Sequence, residues 1–238
     1  MAVKSLLTVL SILGCNTVVV LLWWLSFIDI WTAITLMVLF GVFGVMLYQY
    51  ETRQISSKEV SLIAMMSGLS AVARVPFAAV PSIQPCTFLI LYTGYVFGPV
   101  AGFMVGAITA LVSNLLLGQG PWTVFQMLAW GLVGITAAVL PKLKVKKLGI
   151  LVFGVVWGFV FGWIMNLWYW LAFMYPHTWT TFVFAMGSSL WFDLLHALGN
   201  AVFILLLGEK TMQVLLRFKT RFHVTFLDTS SSAVPFKV

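Results

Sequence analysis

The chain has 238 residues, of which 62% are hydrophobic and 8% charged, and its apolar runs are too many and too long for a soluble core. Backbone amides in hydrocarbon must be satisfied internally, and runs of about 20 residues without period-2 alternation indicate helices rather than barrel strands. We therefore predict an all-α, polytopic membrane helical bundle. The formal charge of +7 comes from basic residues in short loops and tails, which is the positive-inside pattern and predicts no nucleic-acid partner.

Eight apolar segments follow one another along the chain and predict eight membrane helices. They fall at about 5–26, 32–50, 60–75, 84–98, 100–117, 121–140, 148–172 and 181–207. With the N-terminus placed in the cytoplasm, 12 of the 13 basic residues fall on the cytoplasmic side and only Arg74 falls outside. We therefore predict that both termini are cytoplasmic, and Arg74 is an exception that needs an explanation.

Small residues recur four positions apart in two of these segments. The sets are Gly102, Gly106 and Ala110, and Gly154, Gly158 and Gly162. Because such ridges let helix backbones approach closely, we expect them to pack inside the bundle.

The stretch WFDLLHALGN, residues 191–200, places three polar side chains in the last apolar segment. Asp193, His196 and Asn200 are separated by three and four residues and therefore share one helix face. A charged carboxylate at membrane depth costs at least ~2.5 kcal/mol, so this face should meet a cavity, a partner or a ligand. Two interpretations stay open: the three residues contact a ligand, or they bond to each other and to a neighbouring helix. Asp193 and His196 could hydrogen-bond to one another.

Other polar and aromatic residues gather near the predicted outer face. This set could line a pocket for an uncharged or zwitterionic molecule with a flat face, through amide hydrogen bonds and stacking. The alternative for any single Trp is the interfacial aromatic belt. The candidate substrate-binding residues here are Arg74, Gln84, Gln119, Trp122, Gln126 and Asn166.

The chain contains no nucleotide-binding loop, no HExxH and no GxSxG motif, so we predict neither ATP hydrolysis nor another enzymatic activity. Cys15 and Cys86 have neither a second Cys nor a His at metal spacing. No metal or other cofactor is predicted.

Residues 80–141 and the later words DLLHALGN resemble the substrate-binding membrane subunits, or S components, of energy-coupling factor (ECF) vitamin transporters. The more specific words are QP, GYVFGP, SNLLLGQGPWT and DLLHALGN, and their order is the stronger signal. The resemblance covers roughly residues 60–207 and is greatest to the branch that contains the cobalamin-specific S components.

The resemblance implies a six-helix core that binds a vitamin from outside, is carried by a membrane coupling subunit (T component), and is driven by two cytoplasmic ATPases. It implies that the S-component core spans 59–207 and lies in a bacterial-type cell membrane. The chain departs from the family in length, because an N-terminal transmembrane hairpin at 1–58 precedes the core, and we expect a cytoplasmic basic tail at 208–238. Small residues on the first core helix dock onto the coupling subunit in this family, which points here to Ala64 and Gly68, with Ser67 and Ala71 as a second pair. No role follows for the two added N-terminal helices.

The leading hypothesis is thus a substrate-binding subunit for a vitamin or related micronutrient, with cobalamin or another corrinoid favoured because such a ligand presents carboxamides around a large flat ring. Two alternatives remain. One is a stand-alone proton-coupled carrier that uses Asp193 as its relay. The other is an integral membrane enzyme with Asp193 and His196 as an acid–base pair.

Overall fold

The computed structural model describes residues 2–52 and 56–222, and these ranges fold into nine α-helices without a strand. The helices are α1 Ala2–Trp24, α2 Ile30–Thr52, α3 Ser57–Arg74, α4 Cys86–Phe97, α5 Pro99–Leu117, α6 Trp122–Ala137, α7 Lys147–Phe173, α8 Trp179–Ser188 and α9 Leu190–Phe222. A 3-10 turn, Val75–Phe77, follows α3. The predicted all-α fold is confirmed.

Six of the described helices are long and apolar enough to cross a membrane, namely α1, α2, α3, α5, α7 and α9. Two more, α4 with 12 residues and α6 with 16, are apolar but shorter. The multi-pass helical character is therefore confirmed. The count of eight spans and the cytoplasmic position of both termini stay predictions.

The last predicted segment, 181–207, is divided in the structure between α8 and α9. Helix α9 also continues beyond 207 to Phe222. Two contacts hold this extension on the bundle: Leu215 is buried in the main core, and the Lys219 ammonium donates to the Val96 carbonyl at the end of α4 at 2.7 Å. Residues 223–238, the remainder of the predicted tail, lie outside the described residues.

The centre of the bundle depends on close contacts among α4, α5 and α6. A Cβ atom at Gly134 would overlap the Gly102 backbone, and a Cβ at Gly94 would overlap the Gly134 carbonyl. Large apolar side chains, among them Ile90 and Trp130, fill the space beside these contacts and are fully buried. Positive φ angles of 96° at Gly98 and 115° at Gly118 end α4 and α5 and permit the tight turns that return the chain.

Helices α7 and α9 pack through the second predicted set of small residues. A Cβ atom at Gly158 would overlap the Ala197 backbone, and one at Gly162 would overlap the Asp193 carboxylate. Both predicted sets therefore lie in helix–helix contacts inside the bundle, as expected.

The N-terminal hairpin docks on the core through α2. Leu39 packs with Phe125 and Leu128 of α6, and Met46 packs with Phe103 of α5. Helix α1 lies against α2, and most of its described side chains are exposed. These packing contacts between the hairpin and the core thus run through α2.

The turn between α1 and α2 makes a further contact with the core. Asp29 caps α2 by accepting hydrogen bonds from the Trp31 and Thr32 amides at 2.9 and 3.1 Å, and its carboxylate lies 3.6 Å from His177 Nδ1 before α8. Partial burial acts to raise the pKa of Asp29, but the hydrogen bonds from Thr32 and Trp31 outweigh it and lower the pKa. The Asp29 cap therefore stabilises the fold at neutral pH. This stabilisation is lost as the pH falls through the lowered pKa of Asp29.

Replacing Gly134 with Ala should destabilise the bundle, because the new methyl group meets backbone that cannot move aside. Overpacking of this kind costs about 1–3 kcal/mol. The control is Gly14→Ala on α1, where a Cβ would meet nothing within 4 Å. We expect a lower melting temperature in detergent for Gly134→Ala than for the unaltered protein and no decrease for Gly14→Ala; equal melting temperatures for the two variants would contradict this account.

Candidate functional site

Polar side chains collect at one end of the bundle, where α3 and α5 end and α4 and α6 begin. We call this region the polar end and define it by Arg74, Gln84, Ser113, Asn114, Gln119, Thr123 and Gln126. The four successive helices α3, α4, α5 and α6 run antiparallel to one another. This arrangement brings the residues together, although they come from four separate parts of the chain. Their hydrogen bonds form one connected network.

Arg74, at the last position of α3, is half-buried and held on three sides. Its Nε donates to Gln84 Oε1 at 2.8 Å, and its Nη1 donates to Ser113 Oγ and Asn114 Oδ1, each at 2.7 Å. The guanidinium carbon also lies 5.1 Å from the centroid of the Trp130 ring, which adds a cation–π contact. The position of the guanidinium is therefore set by several partners.

Asn114 is the centre of the network and was not among the predicted site residues. Its Oδ1 accepts from Arg74, while its Nδ2 donates to Thr123 Oγ1 at 2.8 Å and to Gln126 Oε1 at 2.7 Å. The side chain is only 1% exposed, so these bonds replace all contact with water. The sequence signal that could have identified Asn114 is an amide within an otherwise apolar helix.

Gln119 and Trp122 occupy the turn between α5 and α6. Gln119 is exposed; its Nε2 donates to the Leu111 carbonyl at 2.9 Å, and its Oε1 accepts from Thr123 at 2.8 Å. The Trp122 ring is half-buried and meets Trp168 of α7 edge-on, with centroids 5.7 Å apart. Gln119 therefore joins the network, whereas Trp122 contributes an aromatic surface beside it.

Asp193, His196 and Asn200 form a polar stripe along α9, which we call the α9 stripe. Asp193 and His196 are 3% exposed, and Asn200 is fully buried. His196 Nε2 lies 2.8 Å from Thr87 Oγ1 at the start of α4, which also accepts from Trp130 Nε1 at 3.1 Å. Because Trp130 lies against Arg74, His196 is connected to the polar end.

Asp193 points to α7 rather than to His196, so the hydrogen bond between these two side chains that the sequence suggested is not formed. Its Oδ2 accepts from Ser189 Oγ at 2.9 Å, and Ser189 Oγ accepts from Asn166 Nδ2 at 2.6 Å. The carboxylate packs on Gly162, which has no side chain to exclude it. Asp193 and Asn166 thus form a second, smaller polar group.

Asn200 lies deeper along α9 and contacts α7. Its Nδ2 donates to the Gly154 carbonyl at 2.9 Å, while its Oδ1 is buried without a hydrogen-bond partner. The stripe therefore divides into separate contacts: Asp193 and Asn200 each meet α7, and His196 meets α4. Each of the three residues is hydrogen-bonded outside the stripe, and the described hydrogen bonds join no two of them to each other.

The two proposed docking residues lie on the outside of α3. Ala64 is exposed, and a Cβ at Gly68 would meet nothing within 4 Å. Ser67 and Ala71, the second pair, are buried at 1% and 0% exposure and face the bundle interior. Of the two predicted pairs, Ala64 and Gly68 therefore lie on the outer surface of α3 and Ser67 and Ala71 do not.

A groove of about 680 Å³ lies between α7 and α8 and extends to Leu190 at the start of α9. Its lining is apolar throughout and includes Trp163, Leu167, Phe182 and Met186. Such a surface suits hydrocarbon rather than an amide-rich molecule. In residues 2–52 and 56–222, no group of three or more His, Cys, Asp or Glu side chains is placed to hold a metal ion.

The apolar helices and the polar end define a multi-pass membrane protein with a hydrogen-bonding site at one end of its bundle. A family model described as the substrate-specific component of ECF transporters matches residues 58–208, which is more than half of the chain. The chain belongs to this family. Its members are transporter subunits and not enzymes, so the hypothesis of an acid–base enzyme is excluded.

Curated relatives also match part of the chain. A UPF0397 protein of Vibrio atlanticus is 30% identical over 98 residues, which is 39% of this chain and 53% of the relative. UPF0397 proteins of Aliivibrio salmonicida and Aliivibrio fischeri are each 27% identical over 99 residues, or 40% of this chain and 54% of each relative. The chain spans about half the length of the curated relatives it matches, and no solved structure matches it.

Replacing Asn114 with Leu should destabilise the protein more than the same change at Asn200. Both side chains are buried, but Asn114 bonds to three side chains, one of them charged, whereas Asn200 makes a single hydrogen bond. Each buried group left unpaired costs about 1–3 kcal/mol. We expect the melting temperature of Asn114→Leu to lie well below that of Asn200→Leu, and the reverse order would show that the polar end does not depend on Asn114.

Proposed function

We propose that the protein captures a micronutrient at the polar end and passes it inward together with a membrane coupling subunit and two cytoplasmic ATPases. The observation that carries this proposal is the network around Arg74 and Asn114, which concentrates hydrogen-bonding groups at one end of an apolar bundle. Membership of the substrate-specific component family supports a ligand-binding role.

A corrinoid such as cobalamin is the ligand class that we favour. Its carboxamides can exchange hydrogen bonds with the Gln84, Gln119 and Gln126 amides, and its flat ring can lie against Trp122. Buried amides reject ligands that leave them unpaired, so a ligand rich in amides suits this end of the bundle. The proposed ligand-binding residues are Arg74, Gln84, Gln119, Trp122, Gln126, Asn166, Asp193, His196 and Asn200.

Four of these residues form the inner part of the proposed site, namely Asn166, Asp193, His196 and Asn200. His196 is connected to Arg74 through Thr87 and Trp130, and Asn166 is connected to Asp193 through Ser189. The unpartnered Oδ1 of Asn200 is an acceptor available to a ligand group or a water molecule. We propose that ligand entry replaces some of these internal hydrogen bonds.

Binding of cyanocobalamin by the purified protein tests the ligand class and its site. We expect Gln84→Ala and Gln119→Ala each to weaken binding roughly tenfold, which corresponds to the loss of about one hydrogen bond to the ligand. The matched control is Gln213→Ala. Gln213 is exposed and lies toward the C-terminal end of α9, away from the polar end. Absence of binding by the unaltered protein would refute the corrinoid assignment, and equal weakening by Gln213→Ala would refute the site.

Docking of the coupling subunit on α3 is tested by a bulky substitution at Ala64. We expect Ala64→Trp to abolish uptake of cyanocobalamin in cells that contain the coupling subunit and both ATPases, while binding by the purified variant is unchanged. Val152→Trp, at a position of α7 that is 52% exposed, is the control and should preserve uptake. Normal uptake by Ala64→Trp would remove this face from the proposed interface.

A proton-coupled carrier is the second candidate function. The observation that favours it is a buried carboxylate, Asp193, whose described hydrogen bond comes from a neutral hydroxyl. Uptake that persists after deletion of the ATPases and is lost in Asp193→Asn would favour this carrier over the ECF assembly.

A further inference from the structure

Arg74 has hydrogen-bonding capacity that the protein itself does not use. Nε and Nη1 are bonded, but Nη2 donates to no described acceptor. Nη2 is also absent from the buried nitrogen and oxygen atoms that lack a partner, so it reaches the accessible surface of the polar end. Two N–H groups of a fixed guanidinium therefore remain open to a ligand.

The charge of Arg74 is likewise uncompensated. Its three hydrogen-bond partners, Gln84, Ser113 and Asn114, are all neutral. The acidic side chains of the described ranges make their contacts elsewhere or lie away from the network: Asp29 with His177, Glu51 with Thr8, Asp193 with Ser189, Glu209 with Lys147, and Glu59 in the first turn of α3. A half-buried cation without a counterion is costly, and an added anion would relieve that cost.

The residues around Arg74 also fix the orientation of its guanidinium and of the unbonded Nη2. Gln84, Ser113 and Asn114 fix the in-plane position of the guanidinium, and the Trp130 ring covers one of its faces. A preorganised guanidinium loses little side-chain entropy when it binds and favours planar or tetrahedral oxyanions. A neutral carbonyl could accept the same hydrogen bonds but would leave the positive charge uncompensated.

From these observations we propose that Arg74 is an oxyanion receptor, and that the molecule bound at the polar end presents a carboxylate or phosphate group to Nη2. The proposal rests on the proposed function in so far as this molecule is the transported substrate. A phospholipid headgroup at the membrane interface offers the same chemistry, and the experiment distinguishes the two sources. A corrinoid that carries a phosphodiester satisfies both this receptor and the neighbouring amides.

Inorganic phosphate is the probe for the receptor, with lipid-free protein in detergent at constant ionic strength. Phosphate should raise the melting temperature of the unaltered protein in a saturable way. We expect Arg74→Gln to weaken phosphate binding roughly 10- to 100-fold, the effect of losing a charge-assisted hydrogen bond, and Arg74→Lys to weaken it less. The control Arg217→Gln, an exposed arginine of α9 at the opposite end, should bind phosphate normally.

Chemical modification supplies a measurement that needs no variant to fold. Phenylglyoxal modifies accessible arginines, and phosphate should slow its reaction with Arg74 but not with Arg217 in the same sample. Peptide mass spectrometry measures both rates. No phosphate effect on the unaltered protein, or equal effects on the two arginines, would overturn the proposal.

Native mass spectrometry of protein taken from membranes identifies the source of the oxyanion. A phospholipid retained by the unaltered protein and by Arg217→Gln, but lost from Arg74→Gln, assigns the receptor to a lipid headgroup. A soluble anionic molecule with the same pattern assigns it to a substrate. Failure of ATP-dependent uptake would refute the transport proposal and leave these phosphate measurements unchanged, so the two proposals fail separately.

Discussion

The hydrogen bonds of the Asn114 side chain are the interaction on which the polar end depends. In hydrocarbon an unpaired amide or guanidinium is costly, so polar groups from α3, α5 and α6 can meet there only if they satisfy one another. Asn114 does this by accepting from Arg74 and donating to Thr123 and Gln126. The same helices also approach closely farther from the polar end, where Gly102 of α5 and Gly94 of α4 both meet Gly134 of α6.

This arrangement gives a physical reason for Arg74, the single basic residue that the predicted topology places on the outer side. The guanidinium of Arg74 donates hydrogen bonds to neutral oxygens and lies over an aromatic ring. These contacts stabilise its charge without a carboxylate beside it. An acidic partner would neutralise the charge and compete with an anionic ligand. A site of neutral amides around one oriented cation can instead bind both the amide groups and the anionic group of an incoming molecule.

The fold could be predicted from the sequence because apolar length and the absence of period-2 alternation leave few possibilities in a membrane. Helix ends were harder to predict than helix positions. Helix α9 continues past Gly208 because Leu215 packs in the core and Lys219 bonds to the end of α4. These are tertiary contacts, which the local sequence does not contain. The common face of Asp193, His196 and Asn200 followed from spacing. Their separate partners, Ser189, Thr87 and Gly154, depend on where α4, α7 and α8 lie, and the importance of Asn114 depends on the packing of three helices.

Capture of a ligand from outside requires that the polar end face away from the cytoplasm, and cysteine accessibility tests this requirement most directly. Cys15 is exposed and Cys86 is buried, so Cys15→Ser provides the background for single additions. Gln119→Cys marks the polar end, and Lys142→Cys, at an exposed position after α6, marks the opposite end. The account predicts that a membrane-impermeant maleimide labels Gln119→Cys in intact cells and labels Lys142→Cys only after permeabilisation. The reverse pattern would contradict it.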